Sequence, residues 1–166
     1  IVQCLSRPTL EATQALMKND RVAIILATGG SGMVRAAYSS GKPALGVGPG
    51  NVPVLLDRSY DVAEGVAQVI QGKSFDYGTV CSSEQSLVAE ESLRGAVLAE
   101  LKARKAHLAN DQEREALERT LIKPGGGINP KCVGQSPLKI AELAGIRVPA
   151  DTSIIAAEIQ GVGKQH

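Results

Sequence analysis

Three short stretches hold residues whose types and spacing fit chemistry. The first is "GTVCSSEQ", residues 78–85, around Cys81. As a thiolate, Cys81 attacks an electrophilic carbonyl and forms a covalent intermediate. As a thiol in a core, it is only a small apolar residue. The residues alone leave both readings open. Asp76 and Glu84 stand beside it, each a base, a cap or a surface charge. The second stretch is "ATGGSGMV", residues 27–34. Thr28, Gly29, Gly30, Ser31 and Gly32 fit a strand-to-helix turn that presents backbone N–H groups and a hydroxyl to a phosphate. It is neither G-x-G-x-x-G nor a P-loop, because no Lys follows the last glycine; a plain tight turn is the competing reading. The third is "GVGPGNVP", residues 46–53, with Gly48 at a second strand end. In open parallel sheets ligands gather at the carboxyl ends of strands, so two such ends in succession fit one crevice.

Other reactive side chains point nowhere in particular. Cys4 and Cys132 read as packing or incidental residues. With three widely spaced cysteines, neither a disulfide framework nor a zinc knuckle is expected, and a reducing, cytoplasmic setting is the default. His107 and His166 have no partner at metal-ligand spacing, so no metal site is expected.

Composition narrows the classes. The chain has 166 residues, about one ordinary domain, with 43% apolar and 21% charged residues as in a globular protein. One Phe, three Tyr and no Trp leave few platforms for stacking bases, and a net charge of +1 exerts no bulk pull on nucleic acid or an anionic membrane. The longest charge-free run, "PALGVGPGNVPVLL", has 14 residues broken by Pro and Gly, short of the roughly 20 a spanning helix needs. No secretory signal opens the chain. Its abrupt ends, strand-like at "IVQCL" and stopping at "GVGKQH", lead us to expect a fragment of a larger protein.

The elements that must position these stretches alternate. "IVQCL" reads as a strand, and "PTLEATQALMK" as a helix opened by Pro8 and Thr9 with Glu11 in its first turn. "RVAIILATGG" holds a strand from Val22 to Leu26, apolar throughout as if buried on both faces. "SGMVRAAYSSG" predicts a short helix closed by Gly41, and "KPALGVGPGN" and "VPVLLD" predict strands. In "DVAEGVAQVIQGK", Val62, Val66, Val69 and Ile70 share one helical face. "SLVAE" is a strand. Residues 90–123 carry seven positive and seven negative charges, a solvated helical face rather than a nucleic-acid groove. Leu93, Val97, Leu101 and Leu108 make one helical stripe there, and Leu117 with Leu121 another. "KPGGGINPK" is a loop, "SPLKIAELAG" a helix capped by Ser136 and stopped by Gly145, and "TSIIAAEI" a final strand. Strand, helix, strand with short links is the pattern of parallel sheets covered by helices, an α/β fold.

Taken together, "LATGGSGMVRAAYSSGKPALGVGPGNVPVLLD" and, further on, "SFDYGTVCSSEQS" resemble the CoA-acylating aldehyde dehydrogenases. The resemblance extends over essentially the whole chain, including "KIAELAGIRVPADTSII". It implies an aldehyde dehydrogenase-like α/β fold, incomplete at both ends. Residues 1–50 would form the later part of a Rossmann-like NAD-binding domain and residues 51–166 the early part of the catalytic domain. Cys81 is then the nucleophile, and Thr28, Gly29, Gly30 and Gly48 lie where NAD binds. An oxyanion-hole asparagine would precede residue 1, and a carboxylate holding the nicotinamide ribose would follow His166.

The resemblance also marks a departure. Where the wider superfamily has a glutamate that activates water, this sequence has Val47. Water is then poorly activated, and the acyl group waits on Cys81 for the thiol of CoA. The reaction implied is a short-chain aldehyde, with acetaldehyde the first candidate, plus CoA and NAD giving acyl-CoA and NADH, reversibly. The setting implied is cytoplasmic or inside a bacterial microcompartment, in a homo-oligomer. The competing functions are a hydrolytic aldehyde dehydrogenase releasing free acid, and a non-catalytic dinucleotide-binding or assembly module with Cys81 inert.

Overall fold

The computed structural model describes residues 2–48, 50–159 and 161. It divides into two compact units, Ile1–Gly50 and Asn51–His166.

In the first unit, helix α1 (Leu10–Lys18) starts where Thr9 accepts the Ala12 N–H on its hydroxyl at 3.1 Å. Strand β1 (Ile25–Thr28), helix α2 (Ser31–Tyr38) and strand β2 (Ala44–Val47) follow. β1 and β2 pair in parallel from Ile25 opposite Ala44 to Thr28 opposite Val47. α2 lies close on β2 because position 46 is glycine. A Cβ there would stand 2.5 Å from Val34 Cγ1, and the Gly46 N–H donates to the Tyr38 hydroxyl at 3.0 Å. Met17, Ile25, Ala27 and Ala37 form the core.

Three expectations fail in this unit. Residues 2–5 form no strand, and Val2 stands fully in solvent with nothing to pair against. β1 is not buried on both faces: Ile25 and Ala27 point into the core, but Leu26 is 74% exposed. The helices cover one face of the sheet, and period-2 alternation sends every second apolar residue to the other. The strand also begins at Ile25 rather than Val22, where Pro43 supplies its first acceptor, to the Ile25 N–H at 2.9 Å.

The second unit opens with β3 (Val52–Leu56), α3 (Val62–Ser74) and β4 (Glu84–Ala89), with β3 and β4 parallel. Asp61 caps α3 by accepting the Glu64 N–H at 2.8 Å. α4 (Arg94–Ala103), β5 (His107–Ala109), α5 (Asp111–Leu121), α6 (Pro137–Ala144) and β6 (Ile155–Ala157) complete it, with β5 parallel to β6. Leu56, Val66, Ile70, Val97, Leu101 and Ala106 make its core. α6 is capped by Ser136 and stopped at left-handed Gly145 (φ 69°), as its sequence predicts. The helical stripe through Leu108 is corrected: α4 ends at Ala103, Lys105 turns left-handed (φ 68°), and Leu108 belongs to β5. The chain leaves the helix because the edge of β6 offers hydrogen bonds that a longer helix would forgo.

Candidate active site

In the first unit the two glycine turns form one edge. Because β1 and β2 are parallel neighbours, Thr28–Gly30 and Gly48 both lie at the carboxyl end of the pair. The Gly29 N–H donates to the Val47 carbonyl at 3.1 Å, which ties the turns together. That N–H is therefore spent; what Gly29 offers a ligand is the absence of a side chain. α2 begins at Gly30 with no side-chain cap, so its first N–H groups face outward with the positive end of the helix dipole. A Cβ at Gly30 or Gly48 would meet nothing within 4 Å among the described residues. Thr28 and Met33 border an open, mainly apolar cavity of about 400 Å³ beside α1. A dinucleotide needs these features: an uncapped helix start for phosphate, bare backbone for close approach and an apolar slot. Val47 is exposed at the end of β2.

In the second unit the segment between α3 and β4 carries Cys81. It starts with three consecutive left-handed residues, Asp76 (φ 48°), Tyr77 (φ 50°) and Gly78 (φ 71°). Only the last is glycine, so the backbone here is strained, as is common at functional sites. Thr79 closes the turn, its N–H and hydroxyl both donating to the Asp76 carbonyl at 3.1 and 2.8 Å. Cys81 is then exposed as a free thiol. The Ser83 N–H donates to the Val80 carbonyl at 2.9 Å, whereas among the described residues no backbone carbonyl takes the N–H of Cys81 or Ser82. These are the donors an oxyanion beside the sulfur would use. Ser83 is only 4% exposed, and its hydroxyl has no partner among the described residues.

Glu84 and Asp76, the two neighbouring carboxylates, part company. Asp76 is exposed on the strained turn. Glu84 folds its carboxylate over Gly72, where a Cβ would overlap it, and its Oε2 is buried without a hydrogen-bond partner among the described residues. Lys73 lies nearby: burial pushes its ammonium below the ordinary lysine range, and the negative Glu84 partly opposes that. Its Nζ donates to Gln85 Oε1 at 3.0 Å. Lys73 and Gln85 are missed by sequence reasoning. A Lys in the last turn of a helix reads as an ordinary dipole partner, and nothing in its spacing shows that it folds back on the next strand.

The remaining reactive residues go elsewhere. Cys132 is buried, its Sγ 3.6 Å from the Thr120 carbonyl, and Cys4 is exposed in the irregular start. His107 pairs with Glu113 at 3.1 Å, and His166 lies outside the described residues. Among the described residues no three His, Cys, Asp or Glu side chains converge as metal ligands, and no helix is long and apolar enough to cross a membrane.

The sequence profile of the aldehyde dehydrogenase family matches residues 1–121. The chain is 43% identical over all its 166 residues to the bifunctional aldehyde-alcohol dehydrogenase of Escherichia coli, spanning 18% of that protein. It superposes on an acetylating aldehyde dehydrogenase from Geobacillus thermoglucosidasius with a TM-score of 0.92 and 49% identity, covering 98% of this chain and 36% of the other. It also superposes on the propionaldehyde dehydrogenase of Rhodopseudomonas palustris, solved with bound CoA and an acylated cysteine. There the TM-score is 0.86 and the identity 31%, over 93% of this chain and 35% of the other. The chain thus spans about a fifth to a third of these relatives.

Proposed function

The chain belongs to the aldehyde dehydrogenase family, and we propose that the full-length protein containing it converts a short-chain aldehyde, CoA and NAD to acyl-CoA and NADH. The observation that carries the reading is Cys81: an exposed free thiol three residues after a strained turn, beside backbone N–H groups that no carbonyl of the described residues takes. The propionaldehyde dehydrogenase with CoA and an acylated cysteine supports this choice of reaction.

The Cys81 thiolate adds to the aldehyde carbon, forming a C–S bond while the carbonyl π pair moves to oxygen. The N–H groups of Cys81 and Ser82 are placed to hold that oxyanion. Bound NAD supplies the hydride acceptor that brings the carbon to the acyl level. Thr28, Gly29, Gly30 and Gly48 are the residues that would hold it, with its phosphates at the start of α2 and the bare glycines admitting its backbone. The thiolate of CoA then attacks the acyl carbon, and the Cys81 thiolate leaves. Val47 puts no carboxylate at the end of β2, which spares the acyl group from water. CoA needs less activation than water, its thiol having a pKa of about 8.5. We place the enzyme in a reducing compartment, the cytoplasm or a bacterial microcompartment, as a homo-oligomer.

The test is Cys81→Ala in the full-length protein, with acyl-CoA and NADH measured together. Turnover should fall by about 1,000-fold or more while NAD still binds. CoA-dependent turnover persisting at more than a few per cent would refute the assignment.

A further inference from the structure

We propose that Lys73 is a positioning residue for the Cys81 thiol, its ammonium clamping the two ends of the segment from Phe75 to Ser83. The proposal rests on the reading of Cys81 as the nucleophile.

One hydrogen bond and two near neighbours define the place of this nitrogen. On the strand side, Lys73 Nζ donates to Gln85 Oε1 at 3.0 Å. On the turn side, a Cβ built on Gly78 would stand 2.9 Å from Nζ and 3.2 Å from Cε, so the side chain occupies space that only glycine leaves at position 78. The Glu84 carboxylate, near enough to act on the Lys73 charge but beyond ion-pair contact, is tucked over Gly72, with Oε2 buried and without a hydrogen-bond partner among the described residues. Cys81 sits between these anchors, three residues after Gly78 and three before Glu84.

The strain in the turn makes such an anchor necessary. Asp76 and Tyr77 hold left-handed backbone without being glycine, which L side chains disfavour. Strained turns of this kind persist only where their surroundings over-determine them. The Thr79 bonds to the Asp76 carbonyl fix the turn locally, but they do not tie it to β4. Lys73 does. It is partly buried instead of extending into water, and only a long cationic side chain at the end of α3 reaches the turn and the strand together. A methionine in its place keeps the length and loses the hydrogen bond and the attraction to Glu84.

The experiment uses the full-length protein. Alkylation of Cys81 by iodoacetamide, located by peptide mass, and CoA-dependent turnover are measured first on the unsubstituted enzyme. Failure of either there removes the nucleophile reading itself and this proposal with it. With both present, Lys73→Met should lower kcat about 10- to 100-fold, the scale of a misplaced reacting group, and slow alkylation about tenfold. KM for NAD and CoA should stay within about twofold. Gln85→Leu, at an exposed position, should lower kcat about threefold alone and add nothing to Lys73→Met, because both break one clamp. A folded Lys73→Met enzyme with kcat within about twofold of the parent overturns the proposal, as do additive effects. If Lys73→Met does not fold, Gln85→Leu decides: unchanged kcat and alkylation overturn it.

Discussion

Among the described residues a side-chain carbon at Gly30 or Gly48 would meet nothing within 4 Å, whereas at Gly72 and Gly78 it would run into Glu84 and Lys73. The first pair edges the β1–β2 strand ends; the second flanks the start of the segment that carries Cys81. At the first pair, glycine leaves open space beside the strand ends. At the second pair, glycine makes room for the chain's own charged side chains: Glu84 over α3, and Lys73 against the strained turn. The difference fits two tasks. On the function proposed, a nucleotide must approach bare backbone and later leave, which an open edge allows. A nucleophile must hold one position against a passing substrate, which a braced turn allows.

The comparison breaks most readily at Gly30. Its backbone is extended (φ −63°, ψ 161°), a conformation any residue adopts, and nothing stands over it. Gly30→Val should therefore fold normally and raise KM for NAD about 100-fold, worth about 2.8 kcal/mol of binding. An unchanged KM would mean the open space serves no ligand, and a lowered unfolding midpoint would mean it is not open. The opposite pattern is expected at Gly134. It is left-handed (φ 68°), and a Cβ there would stand 3.2 Å from Thr79 Oγ1, on the turn before Cys81. Gly134→Ala should cost about 1–2 kcal/mol in a urea titration and slow alkylation of Cys81. A midpoint equal to the parent's would show the turn to be less crowded than this contact implies.

The open edge was far more legible in the sequence than the braced turn. Strand–glycine–helix is a local signature: the residues that make the Thr28–Gly30 turn are adjacent, and the Gly29–Val47 bond follows from pairing two strands the pattern already predicts. Caps behaved likewise, since Thr9 and Ser136 each act within three residues. The bracing of Cys81 is different in kind. Lys73 to Gln85 spans twelve positions and Gly134 to Thr79 many more, and neither pair has a spacing rule. β5 was missed for the same reason: three residues in a charged stretch become a strand only because Ile155–Ala157 lies alongside. Apolar runs were misread in the other direction. "VAIIL" reads as doubly buried, yet the period-2 exposure of Leu26, and in β3 of Leu55, shows helix on one face only.

Val47 sharpens the comparison from the open side. It is exposed at the end of β2, and its carbonyl already holds the Gly29 N–H, so its side chain is free to vary. Val47→Glu places a carboxylate beside the edge without disturbing that bond. It should raise the ratio of free acid to acyl-CoA about fivefold, read by chromatography of products with saturating CoA. This is a modest effect, because a base at the strand end must still reach a water at the thioester. A ratio that does not move in a folded enzyme would separate Val47 from the fate of the acyl group.

The smallest effect belongs to a pair that braces the fold and not the thiol. Glu113 sits in a capping box with Asn110 at the start of α5 and bonds His107 on β5, elements that do not carry Cys81. The Asn110 N–H, and after it His107, hold the Glu113 carboxyl below the usual carboxylate range. A carboxyl with a depressed folded value contributes stability above its unfolded pKa of about 4.3 and loses it as pH falls through the lower folded value. Glu113→Gln keeps the box, since glutamine accepts the same backbone N–H, but removes the charge. The variant should be less stable than the parent by under about 1 kcal/mol at pH 7, and the gap should close as urea titrations are repeated down to about pH 3. Its Cys81 alkylation rate should match the parent's. A stability gap that stays constant over that range would remove the carboxylate from the account. Slowed alkylation would show that bracing of the thiol extends beyond Lys73 into α5.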